Sequence, residues 1–552
     1  MSLAEAWVGA LGWWHHDNLG DTAMLEALRL GLAPHRLVPI EIGFPINADI
    51  LARFNRLDFV LLGGGTLIPG IPAKPFDTFD SWESRLTTPL GVLGMGVDAF
   101  PEQASSAIRA LMDRSTFFYV RDTESRRLLG GADPIVAPDL SFALPLANQH
   151  VRPGRRDARP LCGVNLRRSA SVDPDPWLDV LSKMNLEYRG IRYSSFPSWD
   201  EESLLTRVAP NATFPADERA FRDLDLMLCT AYHSVLFAVQ AGIPVLAIDY
   251  APKVRNFMRD AGLEEFLLPP DGSGMLPSVV SSLLDRREAI VEHIDRLRQT
   301  LHFEAQAMLA TARDQIAAVA PHRERSGPEA TVYVLPGTGG GLSVTAAAAV
   351  DRQSYPNTVV ESGVPALNTT GGSAGEDGYV AWLRGDARLD EDALDYLVSI
   401  LQIDPSLDMV YTDYYLTDEC GNILARADAP PPEKLQRRNV IGPVFLLRKA
   451  FLHRLGGRVP DGPADDYALW LRAHQAGTVR ALHAPVARIG PTGSLPRNII
   501  EEREVRRKWR SSSGGVTRLL WDVLDTEAGE RLVIGPVAAA SRWLRSSAEE
   551  ES

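Results

Sequence analysis

His233 is the side chain of this sequence best suited to move a proton near neutral pH, because an imidazole titrates there without help. It stands in Thr230-Ala231-Tyr232-His233-Ser234, where a short apolar run gives way to a helical one, so its ring can face a cleft beside helix-end N–H groups. There it can donate a proton or bind an anion; a purely structural histidine is the alternative. Arg121, in Tyr119-Val120-Arg121-Asp122-Thr123-Glu124-Ser125, falls at a strand end, where it can grip a carboxylate or phosphate with two parallel bonds or pair with Asp122 or Glu124. Lys253, in Asp249-Tyr250-Ala251-Pro252-Lys253, brings a further positive charge to the mouth of the same cleft.

Two glycine-bearing segments supply backbone rather than side chains. Asn18-Leu19-Gly20-Asp21 follows the first apolar run, and Asn18 and Asp21 can cap the helix after it, whose free N–H groups favour an anion. Gly63-Gly64-Gly65-Thr66 follows another strand-like run, and glycine there permits close approach of a ligand to the main chain. The pair His15-His16 suggests a metal, but adjacent histidines point apart and no third ligand is near in sequence, so a structural or substrate-contact role is the better reading.

The elements that must position these residues alternate. Strands are expected at Ala6–Leu11, Arg36–Ile42, Phe59–Leu62, Leu90–Val97 and Phe117–Val120, with helices over Asp21–Leu32 and about Glu102–Arg114. A polar, proline-bearing stretch, Asn148–Pro160, precedes a second round: strands at Leu161–Leu166, Leu226–Cys229 and Val245–Ile248, and a helix over His233–Gln240. Such alternation means βαβ units and parallel sheets, and ligands of such folds sit at the carboxyl ends of the strands. A long amphipathic stretch, about Ala289–Val319, reads as a helix closing the module.

Composition limits the partners. The 552 residues carry a formal charge of −14, which argues against nucleic acid as a partner but not against small phosphorylated molecules held by local donors. Cys162, Cys229 and Cys420 are widely spaced, which fits a reducing compartment and neither a disulfide framework nor a zinc site. With no leader-like start and no run of about 20 apolar residues, the expected location is cytoplasmic. The basic run Arg503–Arg510 reads as a solvated helix face, with peripheral contact to anionic lipid at the inner membrane face as the alternative. Oligomeric state is open.

The ordered series Asn18-Leu19-Gly20-Asp21, Leu62–Thr66, Gly94-Met95-Gly96, Val120-Arg121-Asp122 with Ser125, Ala137-Pro138-Asp139, His233, Gly242-Ile243-Pro244 and Tyr250 with Lys253 resembles the polysaccharide pyruvyl transferase family over most of Trp7–Leu263. The resemblance implies two Rossmann-like lobes of the GT-B kind, phosphoenolpyruvate as co-substrate with no firm cofactor, and a pyruvate ketal formed on a glycan or lipid-linked sugar. It implies His233 as catalytic acid, with Arg121 and Lys253 on the donor's carboxylate and phosphate, and with Asn18, Gly20, Asp21, Gly64 and Gly65 lining the donor site. The family carries an arginine two residues before this histidine. Here that position is Ala231, which implies weakened phosphate binding, a different donor, or compensation by Arg167 or Arg168 on the neighbouring strand.

From Thr331 to about Pro491 the chain resembles a shortened family-2 glycosyltransferase of the GT-A kind. Val332–Pro336, Val359–Gly363, Tyr379–Asp386, Val410–Asp413 and Asp465–Arg472 carry that resemblance. It implies Glu361, Asp386, Asp465 and Asp466 as site residues, with Asp386 the ligand for Mg²⁺ or Mn²⁺ where the family has Asp-x-Asp. Arg384 replaces the first aspartate of that motif and Ser362 a nucleotide-reading acid, so a degenerate glycan- or partner-binding domain is expected. Asp465 and Asp466 can instead cap a helix.

The expected organisation is therefore an α/β chain in five parts: lobes at 1–147 and 161–320, a linker at 321–330, a GT-A-like domain at 331–495, and a helical, partly disordered tail at 496–552. The leading reading is a transferase of bacterial cell-surface polysaccharide synthesis. A glycosyltransferase or bifunctional enzyme using a sugar nucleotide, and a non-catalytic glycan-binding scaffold, are the alternatives.

Overall fold

The computed structural model describes residues 5–41, 46–68, 85–99, 105–130, 134–146, 159–194, 199–321, 323, 325–335, 344–362, 377–384, 387–436, 439–457, 459 and 463–490. Two compact units emerge. The first takes in residues 1–325 with the short segments Asp390–Tyr396 and Thr417–Ala425, and the second holds the rest. Arg503–Arg510 and Asp386 lie outside the described residues.

The first unit contains two six-stranded parallel sheets. Strands β1 (Trp7–Gly12), β2 (Arg36–Glu41), β3 (Phe59–Ile68), β4 (Leu90–Val97), β5 (Ser115–Val120) and β6 (Ile135–Val136) lie in the order β2-β1-β3-β4-β5-β6. Strands β7 (Leu161–Asn165), β8 (Glu187–Arg192), β9 (Thr213–Pro215), β10 (Leu226–Cys229), β11 (Val245–Ile248) and β12 (Leu267–Leu268) lie in the order β12-β11-β10-β7-β8-β9. The second order is that of a Rossmann sheet, whereas the first is the flavodoxin-like variant of the doubly wound fold. The alternation expected from sequence thus appears as parallel α/β sheets. Central strands are buried on both faces, which is why β4 reads as an unbroken apolar run and is buried at every position.

Each lobe has its own core. One gathers Val8, Trp14, Met24, Leu28, Phe59 and Tyr119, and the other Trp177, Leu205, Met227, Val235 and Ile248. The helix Arg287–Val319, 33 residues and about 50 Å long, joins them. Ile290, Ile294 and Ala305 enter the second core, while Met308, Leu309, Ala312 and Ile316 enter the first. Among the described residues no helix is long and apolar enough to cross a membrane.

The second unit is α/β with a mixed sheet. Its strands run in the order Thr358–Ser362, Ala330–Leu335, Tyr379–Arg384, Phe445–Arg448, Met409–Thr412, Val479–Leu482. The first three are parallel, and Phe445–Arg448 is antiparallel to both of its neighbours. Trp382 and Trp470 stack at 5.3 Å in its core, with Phe445 edge-on to both.

Candidate functional site

Strand order reverses between β1 and β3 in the first lobe and between β7 and β10 in the second, and crevices for ligands open at the carboxyl ends of strands at such points. The chain leaving β1 caps its helix with Asn18, whose side-chain oxygen accepts from Gly20 N at 3.0 Å. The chain leaving β10 enters the helix Tyr232–Gln240 and places His233 in its first turn. The two helix starts meet: a Cβ built on Gly20 would sit 1.8 Å from His233 Nδ1. Gly20 thus leaves the room that the His233 ring occupies. Leu19 N donates to Tyr193 O at 3.2 Å, and the Ser194 hydroxyl donates to Asp17 O, fixing the same junction.

Around this point gathers a set of buried charges. Asp139 is 2% exposed, and one of its oxygens accepts from Ser141 N at 3.0 Å. The other lies 3.8 Å from both Arg121 Nη1 and His233 Nε2 and has no hydrogen-bond partner among the described residues. His233 Nε2 and Arg121 Nε are likewise buried without one. Buried polar atoms are normally satisfied, so the unpartnered Asp139 Oδ2 and His233 Nε2, 3.8 Å apart and with Arg121 Nη1 3.8 Å from the same oxygen, mark a place suited to a further ligand, whereas Arg121 Nε lies toward Asp122. Burial lowers the His233 imidazole to about 4; Asp139 opposes this, and Arg121, Lys253 and Arg167 add to it. With that shift the ring is neutral at pH 7.

The surrounding cations are held by aromatic rings. Arg121 lies 4.5 Å over Tyr232 and donates to the Thr66 hydroxyl, and Lys253 lies 5.9 Å from Tyr232 and 5.7 Å from Tyr250. Burial raises the Asp21 carboxyl to about 7; Lys253 and Arg121 oppose this while Asp139 and Glu41 reinforce it. For Tyr250 burial pushes the hydroxyl up, but Lys253 and Arg167 outweigh it and leave it below its ordinary value.

The remaining sequence-derived residues divide. Gly64 and Gly65 lie within β3 rather than after it, at φ 78° and 91°, and nothing lies within 4 Å of a Cβ built on Gly65. The strand runs on because its partner β4 continues alongside to Val97, with a shift in register near Thr66. Arg121 does not pair closely with its sequence neighbours. Asp122 is 4.0 Å away and caps the helix Thr123–Leu129 at Ser125 N, while Glu124 pairs with Arg127. His16 is stacked on Trp13 and bonded to Glu41 at 3.1 Å, and so is spent locally. Arg168 faces outward toward Asp173 at 3.7 Å, whereas Arg167 turns inward.

In the second unit Asp466 is buried and accepts from the Trp382 indole at 2.9 Å, a packing role. Asp465 is exposed at the start of the helix Pro463–Ala476. Glu361 is exposed on its strand and, after burial, is the main influence holding the Tyr333 hydroxyl up at about 12. Sequence reasoning singled out neither Asp139 nor the aromatic partners Tyr232 and Trp199 as site residues. Ala137-Pro138-Asp139 was the only signal for the carboxylate, and its approach to His233 spans 94 positions of sequence.

No curated protein sequence matches the chain significantly. Among solved structures, similar ones include Anabaena HepE in complex with UDP and glucose (10% identity, 57% of this chain and 99% of that one, TM-score 0.39). Acinetobacter baumannii MurG (12%, 56% and 99%, TM-score 0.36) and a putative UDP-N-acetylglucosamine 2-epimerase from Listeria monocytogenes (14%, 58% and 99%, TM-score 0.37) are others. Residues 18–252 match the family model described as polysaccharide pyruvyl transferase, a span that holds Gly20, Arg121, Asp139, Arg167 and His233 and stops one residue short of Lys253.

Proposed function

We propose that the first unit transfers a pyruvyl group from phosphoenolpyruvate to two hydroxyls of a glycan or lipid-linked sugar, with His233 as the acid. The observation that carries this reading is the approach of His233 Nε2 and Arg121 Nη1, each at 3.8 Å, to one buried oxygen of Asp139, with that oxygen and the imidazole nitrogen both lacking a hydrogen-bond partner among the described residues. A trianionic donor suits a site with Arg121, Arg167 and Lys253 around it. Its arrival offsets the cations that depress His233, so the imidazole gains a proton as the donor binds. That proton goes to the methylene carbon, an acceptor hydroxyl bonds to the adjacent carbon, and the carbon–oxygen bond to phosphate breaks with its electron pair leaving on phosphate. A second hydroxyl then closes the ketal. Of the two hydroxyl protons released, one restores His233 and the other leaves with phosphate. Asp139 stabilises the imidazolium before transfer.

The second unit is read as a GT-A-like domain that presents the acceptor. We assign it no metal-dependent step, because Asp466 serves Trp382, Glu361 faces Tyr333, and Asp386 lies outside the described residues. The test is phosphate release from phosphoenolpyruvate in the presence of pyranose acceptors. Release is expected with the wild type and a loss of at least about 100-fold with His233→Gln. No acceptor-dependent release by the wild type with any glycan, or undiminished release by His233→Gln, overturns the reading.

A further inference from the structure

Arg167 is a buried cation with no direct ion pair among the described residues. It is 8% exposed, its Nε is buried without a hydrogen-bond partner, and among the described residues no carboxylate lies within 4.0 Å of it. A buried guanidinium is normally paired, since taking the charge out of water costs several kcal/mol. What holds this one is aromatic: its centre lies 4.4 Å over the Trp199 ring and 4.5 Å over the Tyr250 ring. Such stacking fixes the plane of the fork and leaves its N–H edges for another partner. Glu201, itself buried, is the nearby counter-charge that feels Arg167, but it forms no ion pair with it: one oxygen accepts from Tyr193 N at 2.8 Å and Ser194 N at 3.2 Å, and the other has no hydrogen-bond partner among the described residues.

The position is tied to His233. Asn165, the last residue of β7, donates to Ile191 O at 3.1 Å and accepts from Ala231 N at 3.0 Å. It thereby locks the strand end to the start of the His233 helix, and Arg167 follows two residues later. Arg168 N donates to Trp199 O at 2.9 Å, which holds the stacking residue against the same turn. The Arg167 charge reaches both His233 and Tyr250.

We propose that Arg167 is a phosphate clamp: its stacked guanidinium takes two oxygens of a phosphoryl group in the cleft. This rests on the donor-site reading above and adds to it the residue that grips the phosphoryl end. A phosphoryl group can come from phosphoenolpyruvate or from a nucleoside diphosphate, and the test separates the two.

The experiment measures thermal protection and affinity of the full chain for inorganic phosphate, phosphoenolpyruvate, UDP and, as a carboxylate without phosphate, lactate. Arg167→Met should weaken phosphate and phosphoenolpyruvate roughly 10- to 100-fold, the worth of a charge-assisted bidentate contact, and leave lactate unchanged. Arg167→Lys, which keeps the charge and loses the fork, should fall between, and Trp199→Ala should weaken phosphate in the same direction. Arg168→Ala should behave as wild type. If Arg167→Met fails to fold, Arg167→Lys and Trp199→Ala carry the test. Arg167-dependent binding of phosphoenolpyruvate without phosphate release to any acceptor would keep the clamp and remove the transfer reading. Arg167-dependent protection by UDP but not phosphoenolpyruvate would keep the clamp and assign it to a nucleotide. Equal phosphate affinity in wild type and Arg167→Met, or no protection of the wild type by any phosphoryl compound, overturns the clamp.

Discussion

Gly20→Ala tests the junction of the two lobes with a single methyl group. The added carbon would lie 1.8 Å from His233 Nδ1, 2.1 Å from Cγ and 2.5 Å from Cε1, so the ring must retreat by about 1.6 Å to reach the 3.4 Å of ordinary van der Waals contact. A displacement of that size in a catalytic group costs on the order of 100-fold in rate. The stability effect has two opposed parts. Alanine improves a helix over glycine by about 1 kcal/mol, while forcing a group into a packed site costs about 1–3 kcal/mol. With His233 truncated to alanine the clash is gone and only the helical gain remains. Gly20→Ala should therefore be neutral to destabilising alone and stabilising by about 1 kcal/mol in the His233→Ala background, a coupling of about 1–3 kcal/mol. Urea unfolding of the four proteins of the cycle reads the coupling, and phosphate release reads the rate. Additivity to within about 0.5 kcal/mol, or full activity of Gly20→Ala, would show that Gly20 and His233 are not in contact in solution.

Two further outcomes follow from burial. Asp21 has a folded pKa raised, first by burial, from 3.8 to about 7, so the folded state holds its proton more tightly and stability is lost as pH rises from about 4 to 7. Asp21→Asn should accordingly be worth up to about 4 kcal/mol more, relative to wild type, at pH 8 than at pH 4; an equal difference at both pH values contradicts the buried placement. In the second unit, Asp466→Ala strands the Trp382 indole N–H and should cost about 1–3 kcal/mol, whereas Asp466→Asn keeps an acceptor and should cost less. The two variants having equal unfolding midpoints would deny that bond its role.

The sequence by itself determined the local chemistry. Apolar runs such as Leu90–Val97 and Leu226–Cys229 read as buried parallel strands in an alternating chain, and Asn18 caps its helix where its type and position say it should. His233, Arg121 and Lys253 stand out for the same reason: each is a charged or titratable type at an element boundary. Local patterns also misled. The glycines of β3 look like the turn after a strand, because the partner strand that stays paired with it past Gly65 is invisible in its own sequence. Arg121 seemed placed to pair with Asp122, yet backbone direction at the helix cap sends that carboxylate to Ser125 N instead.

Only the tertiary structure decided which charges share a site. Asp139 reaches Arg121 from 18 residues away because the neighbouring strands β5 and β6 that carry them are paired, and His233 from 94 because the chain leaving β10 of the other sheet comes to the same place, a property of topology that no window of sequence contains. The choice between Arg167 and Arg168 is of the same kind. Neighbouring side chains on an extended backbone point to opposite sides, and it is the rings of Trp199 and Tyr250, brought in from other segments, that make one side a buried cleft and leave the other to solvent.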